Sequence, residues 1–210
     1  MIMKEDQIIQ MIDKIEDYHK DQLTIDLVKA NVFAIVMMIP TVFILGLPYF
    51  LIWGIGFNLS DFRSFTKILS PEFMGLTLLI VFTLGLILHE LIHGIVWSRY
   101  TSDGFKSIRF GVLWKMLTPY CHCKEPLKVK EYIIGAIMPA IILGFIPGII
   151  AIIIGNVGLL LFGIIFTTAA SGDFMIINLL KNENKDDYVQ DHPSEAGCFI
   201  YRKRQEEKNK

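Results

Sequence analysis

The chain has 210 residues, 53% of them hydrophobic, and its 20 basic and 21 acidic side chains leave a net charge of −1. A mean hydropathy of +0.49 describes a polytopic membrane protein with length for one compact bundle, and excludes a soluble domain. No basic block is interleaved with aromatics, which excludes a nucleic-acid partner, and the 3 cysteines all fall on the predicted reducing side, which excludes a disulfide scaffold.

Residues 1–30 are charged and lack an apolar core next to a small-residue cleavage site, so no signal peptide is expected. They read as a cytoplasmic amphipathic segment, a helix with Ile8, Ile9, Met11, Ile12, Ile15 and Tyr18 as its apolar stripe. Four apolar runs follow, over 31–57, 74–100, 132–155 and 157–180, each longer than the roughly 20 residues that span a bilayer. Pro40 and Pro48 interrupt the first run, and Pro139 and Pro147 the third, so kinks are expected. Pro139, Pro147 and Gly148 also leave open a re-entrant third segment.

Between the second and third runs, residues 104–124 carry Ile108, Phe110, Val112 and Trp114 with Gly111 and Pro119 as punctuation, the pattern of a β-hairpin. A free edge there can take an extended peptide by strand addition, or the hairpin can simply cover the bundle. Residues 181–210 form a polar tail. The expected fold is therefore an all-α polytopic membrane protein of about four transmembrane helices, the bundle covering 31–180, with one small hairpin on its cytoplasmic side. All basic residues except Arg63 and Lys67 lie before the first run, between the second and third, or after the fourth. The bias of basic residues to cytoplasmic loops places both termini in the cytoplasm and makes the lipid bilayer a partner.

The second run contains His89-Glu90-Leu91-Ile92-His93. Residues i and i+4 share a helix face, so two imidazoles can hold one metal ion while Glu90, on the flank, can take a proton from water. Ionisable groups at bilayer depth cost several kcal/mol unless paired or ligated, which favours a metal site over a hydrogen-bonded structural cluster. A catalytic zinc usually has three protein ligands and one open position. Asp173, His122, the Cys121/Cys123 pair, His19 and His192 are candidates for the third. Counted from Met74 and Val157, the outer ends of their runs, His89 and Asp173 stand at nearly the same position, and these two runs point the same way. Because every helical residue adds the same rise, the two share a level in the bilayer, and Asp173 is the one acidic residue of its run. A carboxylate hydrogen-bonded to a neighbouring span is the alternative reading. Cys121 and Cys123 have no second ligand pair at zinc-finger spacing and read as structural or substrate-proximal.

With Pro119-Tyr120-Cys121-His122-Cys123-Lys124-Glu125-Pro126-Leu127, Ser171-Gly172-Asp173 and Asp191-His192-Pro193-Ser194-Glu195, the two-histidine motif resembles a family of small bacterial membrane proteins described as zincin peptidases. That family is in turn similar to the site-2 proteases, intramembrane metalloproteases whose two-His motif is completed by an Asp on a later helix. The resemblance implies Zn2+ held by His89, His93 and Asp173, Glu90 as the catalytic base, and a membrane protein or peptide as substrate. Around Asp173 the chain departs from the site-2 protease pattern: Gly172 precedes it, Phe174 follows it, and there is no Asn-Pro. An oxyanion or substrate contact therefore does not carry over with the ligands, and His122 is the candidate for it. Two rival readings remain: a metal-binding scaffold or sensor without proteolysis, and a small metal or proton transporter, the latter disfavoured by the lack of an internal repeat.

Overall fold

A computed structural model describes residues 18–54, 71–113, 118–192 and 195–203. The apolar stripe expected over Ile8–Ile15, together with Trp114, Pro193 and Ser194, lies outside these residues.

Helix α1 (Leu27–Thr41) passes through a π-helical turn (Val42–Gly46) into α2 (Leu47–Trp53). Helix α3 (Pro71–Trp97) is uninterrupted. Helix α4 (Val129–Pro139) repeats the pattern of the first span, with a π-helical turn (Ala140–Phe145) leading into α5 (Ile146–Ile154). The prolines explain both irregular turns. Pro40 and Pro139 lack the N–H that an ideal α-helix needs, and the wider turn that follows absorbs the mismatch. Pro48 and Pro147 follow directly on the π-helical turns, whose wider winding accommodates the bond that their missing N–H cannot make to the preceding turn. The third run is thus one helix from Val129 to Ile154 and is not turned back.

Asn156 accepts a hydrogen bond from the Leu159 N–H (2.8 Å) and starts α6 (Val157–Ala169). At Ala170 the chain leaves helical geometry, and α7 (Ser171–Leu180) sets off at 43° to α6. Three helices, Lys29–Trp53, Phe73–Trp97 and Val129–Ile154, are long and apolar enough to cross a membrane, and the bent pair α6–α7 makes a fourth if it is one span. Their outer faces are apolar and exposed, as at Ile35, Ile39, Phe43, Leu51, Leu78, Leu79, Ile149 and Ile153, which suits lipid and not water. Inside the bundle, a Cβ on Gly163 would stand 2.8 Å from the backbone of Gly144 and Gly148, so the absence of a side chain is what lets α6 approach the third span.

The all-α expectation needs correction. Strands β1 (Tyr18–Thr24), β4 (Leu127–Lys128), β5 (Tyr188–Asp191) and β6 (Gly197–Lys203) form an antiparallel sheet in the order β1-β6-β5-β4. Tyr18, read as the end of a helical stripe, pairs with Lys203 at the far end of the chain, and Leu23 packs against the sheet's core. Such pairing is non-local and leaves no helical or strand period in one short polar segment. The polar tail likewise supplies β5 and β6. Its alternation was visible, since Val189, Cys198 and Ile200 point inward and are fully buried. Strands β2 (Ile108–Leu113) and β3 (Thr118–Cys123) make the expected hairpin.

The sheet rests on the ends of the long helices. Val189, Cys198 and Ile200 pack with Trp97, Tyr132, Ala136, Leu180, Leu127 and Cys123 in one buried cluster. Arg202 on β6 reinforces that seat with paired hydrogen bonds to Glu183 (2.7 Å each), just after α7, and an ion pair with Asp21 on β1.

Candidate metal centre

Helix α3 presents His89 and His93 one turn apart, with rings edge to face at 4.9 Å. Asp173 comes from the first turn of α7, and the break at Ala170 sets the direction from which it enters. His89 Nε2 is 3.1 Å from Asp173 Oδ2, and His93 Nε2 is 3.2 Å from Asp173 Oδ1. One ligand atom from each of the three residues lies within 4.8 Å of the others, and this is the one such cluster of potential ligands among the described residues. Both histidines are buried, at 6% and 3% exposure, inside an otherwise apolar bundle.

Hydrogen bonding shows what kind of group this arrangement needs. His93 Nδ1 lies 2.9 Å from the Gly135 carbonyl oxygen. A carbonyl only accepts, so Nδ1 carries a proton and Nε2 of the neutral ring faces Asp173 with a lone pair. A lone pair and a carboxylate oxygen this close repel each other unless a cation or an extra proton lies between them. A tetrahedral zinc with bonds of about 2.0–2.1 Å has donor atoms about 3.3 Å apart, and the three ligand atoms here already lie within 4.8 Å of one another. Two imidazoles and one carboxylate are the protein donor set of a catalytic zinc site, so the residues fit the ion.

Glu90 is half-buried on the flank of α3, and its carboxylate accepts the Cys121 backbone N–H of β3. In β3 the N–H groups of residues 121 and 123 point away from β2, because Lys124 N–H bonds the Ser107 carbonyl across the hairpin. The Cys123 N–H on that outward edge is taken by Asp191 Oδ2 (2.8 Å), and Pro119 on the same edge has none to offer. The expected free edge of β3 is therefore already engaged by two carboxylates.

The other candidates for a third ligand stand elsewhere. His122 Nδ1 is 3.9 Å from Asp191 Oδ2. His19 pairs with Asp21 on the exposed face of β1 (3.0 Å), and His192 contacts Gln22 (3.2 Å). Cys123 is buried with its thiol directed at the Glu125 carbonyl (3.3 Å). Burial, and then the Glu90 and Asp191 carboxylates, push the Cys121 thiol well up from its ordinary value, so it stays in the protonated form that ligates poorly. The Ser98 hydroxyl bonds the Ile95 carbonyl (2.9 Å) and the Thr168 hydroxyl the Ile164 carbonyl (2.8 Å).

Sequence reasoning missed the groups that orient His93. Its ring stacks on Trp97 (4.9 Å, 16°), which stacks on Tyr132 (5.0 Å, 23°) and donates its indole N–H to the Tyr132 carbonyl (3.1 Å). A Cβ at Gly135 would collide with that indole, so glycine is required where α4 passes α3. A histidine, a tryptophan and then a tyrosine and a glycine across two apolar helices carried only the signal of ordinary core residues.

Residues 82–188, half of the chain, match the model of a family described as "Putative zincin peptidase". The chain belongs to that family. The matched residues include the two-histidine motif, the β2–β3 hairpin and Asp173, and leave out β1, β6 and Asp191. The family's description is that of a zinc metallopeptidase. Comparison with curated proteins and with solved structures gives no match.

Proposed function

We propose that the protein is a zinc-dependent peptidase embedded in the cell membrane, hydrolysing peptide bonds of membrane-associated polypeptides. The observation that carries this reading is the convergence of His89, His93 and Asp173 on one point in an apolar bundle with a carboxylate, Glu90, on the flank. Zinc held by these three residues supplies Lewis acidity, which acidifies water and polarises an amide carbonyl. Gly135 fixes the His93 tautomer, which turns the Nε2 lone pair towards Asp173 and the metal position. Glu90 takes the proton of the attacking water and delivers it to the leaving amine, a role worth roughly 10²–10⁴ in rate.

Four crossings are supported by the sheet. β1 precedes the first span, β4 lies between the second and third, β5 and β6 follow the fourth, and all pair together. Each must emerge on the same side of the bilayer, and the excess of Lys and Arg there makes that side the cytoplasm. His93 and His89 lie four and eight residues from the sheet-side end of α3, about 6 and 12 Å along the axis. Water then enters from the cytoplasm without crossing the bilayer, and the substrate segment unwinds near that surface, since helical carbonyls are occupied.

The test is zinc content and hydrolysis of membrane-derived peptides by the detergent-purified protein, beside Glu90→Gln and Asp173→Ala. The expected outcome is about one zinc per chain, lost in Asp173→Ala, and retained in Glu90→Gln with hydrolysis abolished. Hydrolysis that survives Glu90→Gln, or a wild type that takes up no zinc, would sink the proposal. Zinc uptake without hydrolysis would favour a scaffold, sensor or transporter.

A further inference from the structure

We propose that Asp191, beyond the family-matched region, is a positioning residue for the metal centre, holding His93 through Tyr132 and Trp97 and holding Glu90 through strand β3. The inference rests on the peptidase reading for Glu90 and on metal binding for His93.

Asp191 ends β5, on the sheet and outside the spans. One carboxylate oxygen, Oδ1, accepts the Tyr132 hydroxyl, and the other, Oδ2, accepts the Cys123 N–H at 2.8 Å. Two separate lines start from these bonds. Along the first, the Tyr132 ring lies against Trp97, Trp97 lies against His93, and the His93 imidazole meets Asp173. The three rings are stacked nearly parallel, at 23° and 16°, so the plane of His93 follows the plane of Tyr132. Tyr132 and Trp97 are each 4% exposed, and a buried hydroxyl without an acceptor would leave this site. Along the second line, Cys123 and Cys121 share the outward edge of β3, and the N–H of Cys121 holds Glu90. Fixing Cys123 to Asp191 fixes the strand that sets where the Glu90 carboxylate rests.

One carboxylate with two oxygens thus aligns a ligand and a base that sit on the same helix but are reached through different elements, α4 and β3. No other described residue bonds both α4 and β3 in this way. Asparagine has one acceptor oxygen, so it can keep either bond and must lose the other. A role confined to folding would lower stability and leave the bound ion unchanged. A positioning role alters the ion's surroundings in a protein that is still folded.

The experiment uses the full chain in detergent micelles as wild type, Asp191→Asn, Tyr132→Phe and the double variant. Zinc affinity is read by chelator competition, the ligand field by the visible spectrum of the cobalt-loaded protein, and folding by thermal unfolding of the metal-free protein. Peptide hydrolysis is measured alongside. The expected result is zinc affinity about tenfold weaker and shifted cobalt bands in each single variant, with the metal-free proteins folded. The double variant should be no weaker than the worse single, and kcat should fall while KM holds. Unchanged affinity and spectrum in both single variants overturns the proposal, as do losses that multiply in the double variant. If Asp191→Asn does not fold, Tyr132→Phe decides alone, because it keeps the stacked ring and removes only the hydroxyl. A wild type that binds zinc but cleaves nothing overturns the peptidase reading, and affinity and spectrum still decide the case of Asp191. A wild type that binds no zinc overturns both.

Discussion

His93 is constrained on three sides: by the Gly135 carbonyl at Nδ1, by Asp173 at Nε2 and by the face of Trp97. Its pairing with His89 was readable four residues away in sequence, because i and i+4 share a helix face. Counting positions along two apolar runs pointed to Asp173, which lies 3.1 and 3.2 Å from the two imidazoles. The Gly135 carbonyl was not, since it is 42 residues from His93 and a backbone oxygen leaves no mark on side-chain pattern. Replacing Gly135 by alanine puts a methyl group into the Trp97 indole, which must tilt and drag the His93 ring with it. Overpacking of this kind costs about 1–3 kcal/mol. Gly135→Ala should melt several degrees lower and bind zinc more weakly, by thermal unfolding and chelator competition, while the same substitution at exposed Gly172, where a Cβ meets nothing, should change stability little.

Elements that depend on their own residues were legible, and elements that depend on distant partners were not. The long helices and the β2–β3 hairpin belong to the first group. The hairpin is joined to the end of α3 through Glu125, a buried carboxylate that accepts from the Ser102 N–H (2.8 Å), the Ser102 hydroxyl (2.7 Å), the Asp103 N–H (3.3 Å) and the Ser107 hydroxyl. Burial pushes the Glu125 carboxyl up, but these donors outweigh it and hold the group below the ordinary glutamate value of 4.5. A depressed carboxylate adds stability above the ordinary value and loses it as pH falls through the lower one. The thermal midpoint of the metal-free protein should therefore drop as pH is lowered from 6 towards 3, and Glu125→Gln should flatten that drop. At pH 7 the variant should be less stable by about 2 kcal/mol, the worth of hydrogen bonds to a charged group. A variant with the wild-type pH profile would show that the loop is not held through this carboxylate. The β1 strand belongs to the second group: its seven residues look like polar helix or loop until β6 is beside them, with Tyr18 opposite Lys203.

At the scale of the whole molecule, one sheet gathers the segment before the first span, the segment between the second and third, and the tail. That gathering has a topological consequence, since three segments separated by spans can share a sheet only if an even number of crossings lies between them. A fluorescent reporter fused after Lys210 should light up in the cytoplasm, alkaline phosphatase at the same place should stay silent, and phosphatase inserted at Gly155, in the turn after α5, should be active. Activity of the phosphatase at Lys210 would mean that α6 and α7 do not cross as one span.

The apolar runs and the shared face of His89 and His93 follow from local rules, the constant rise and the fixed period of the α-helix, which act on whatever chain obeys them, while the approach of Asp173 depends also on the break at Ala170. The sheet over the bundle, the stack from His93 to Tyr132, and the meeting of Asp191 with both Tyr132 and Cys123 follow from contacts across 35, 59 and 68 residues of chain. Such contacts exist only after the helices have packed, because hydrogen bonds and ring faces act over a few ångströms and carry no repeat along the chain.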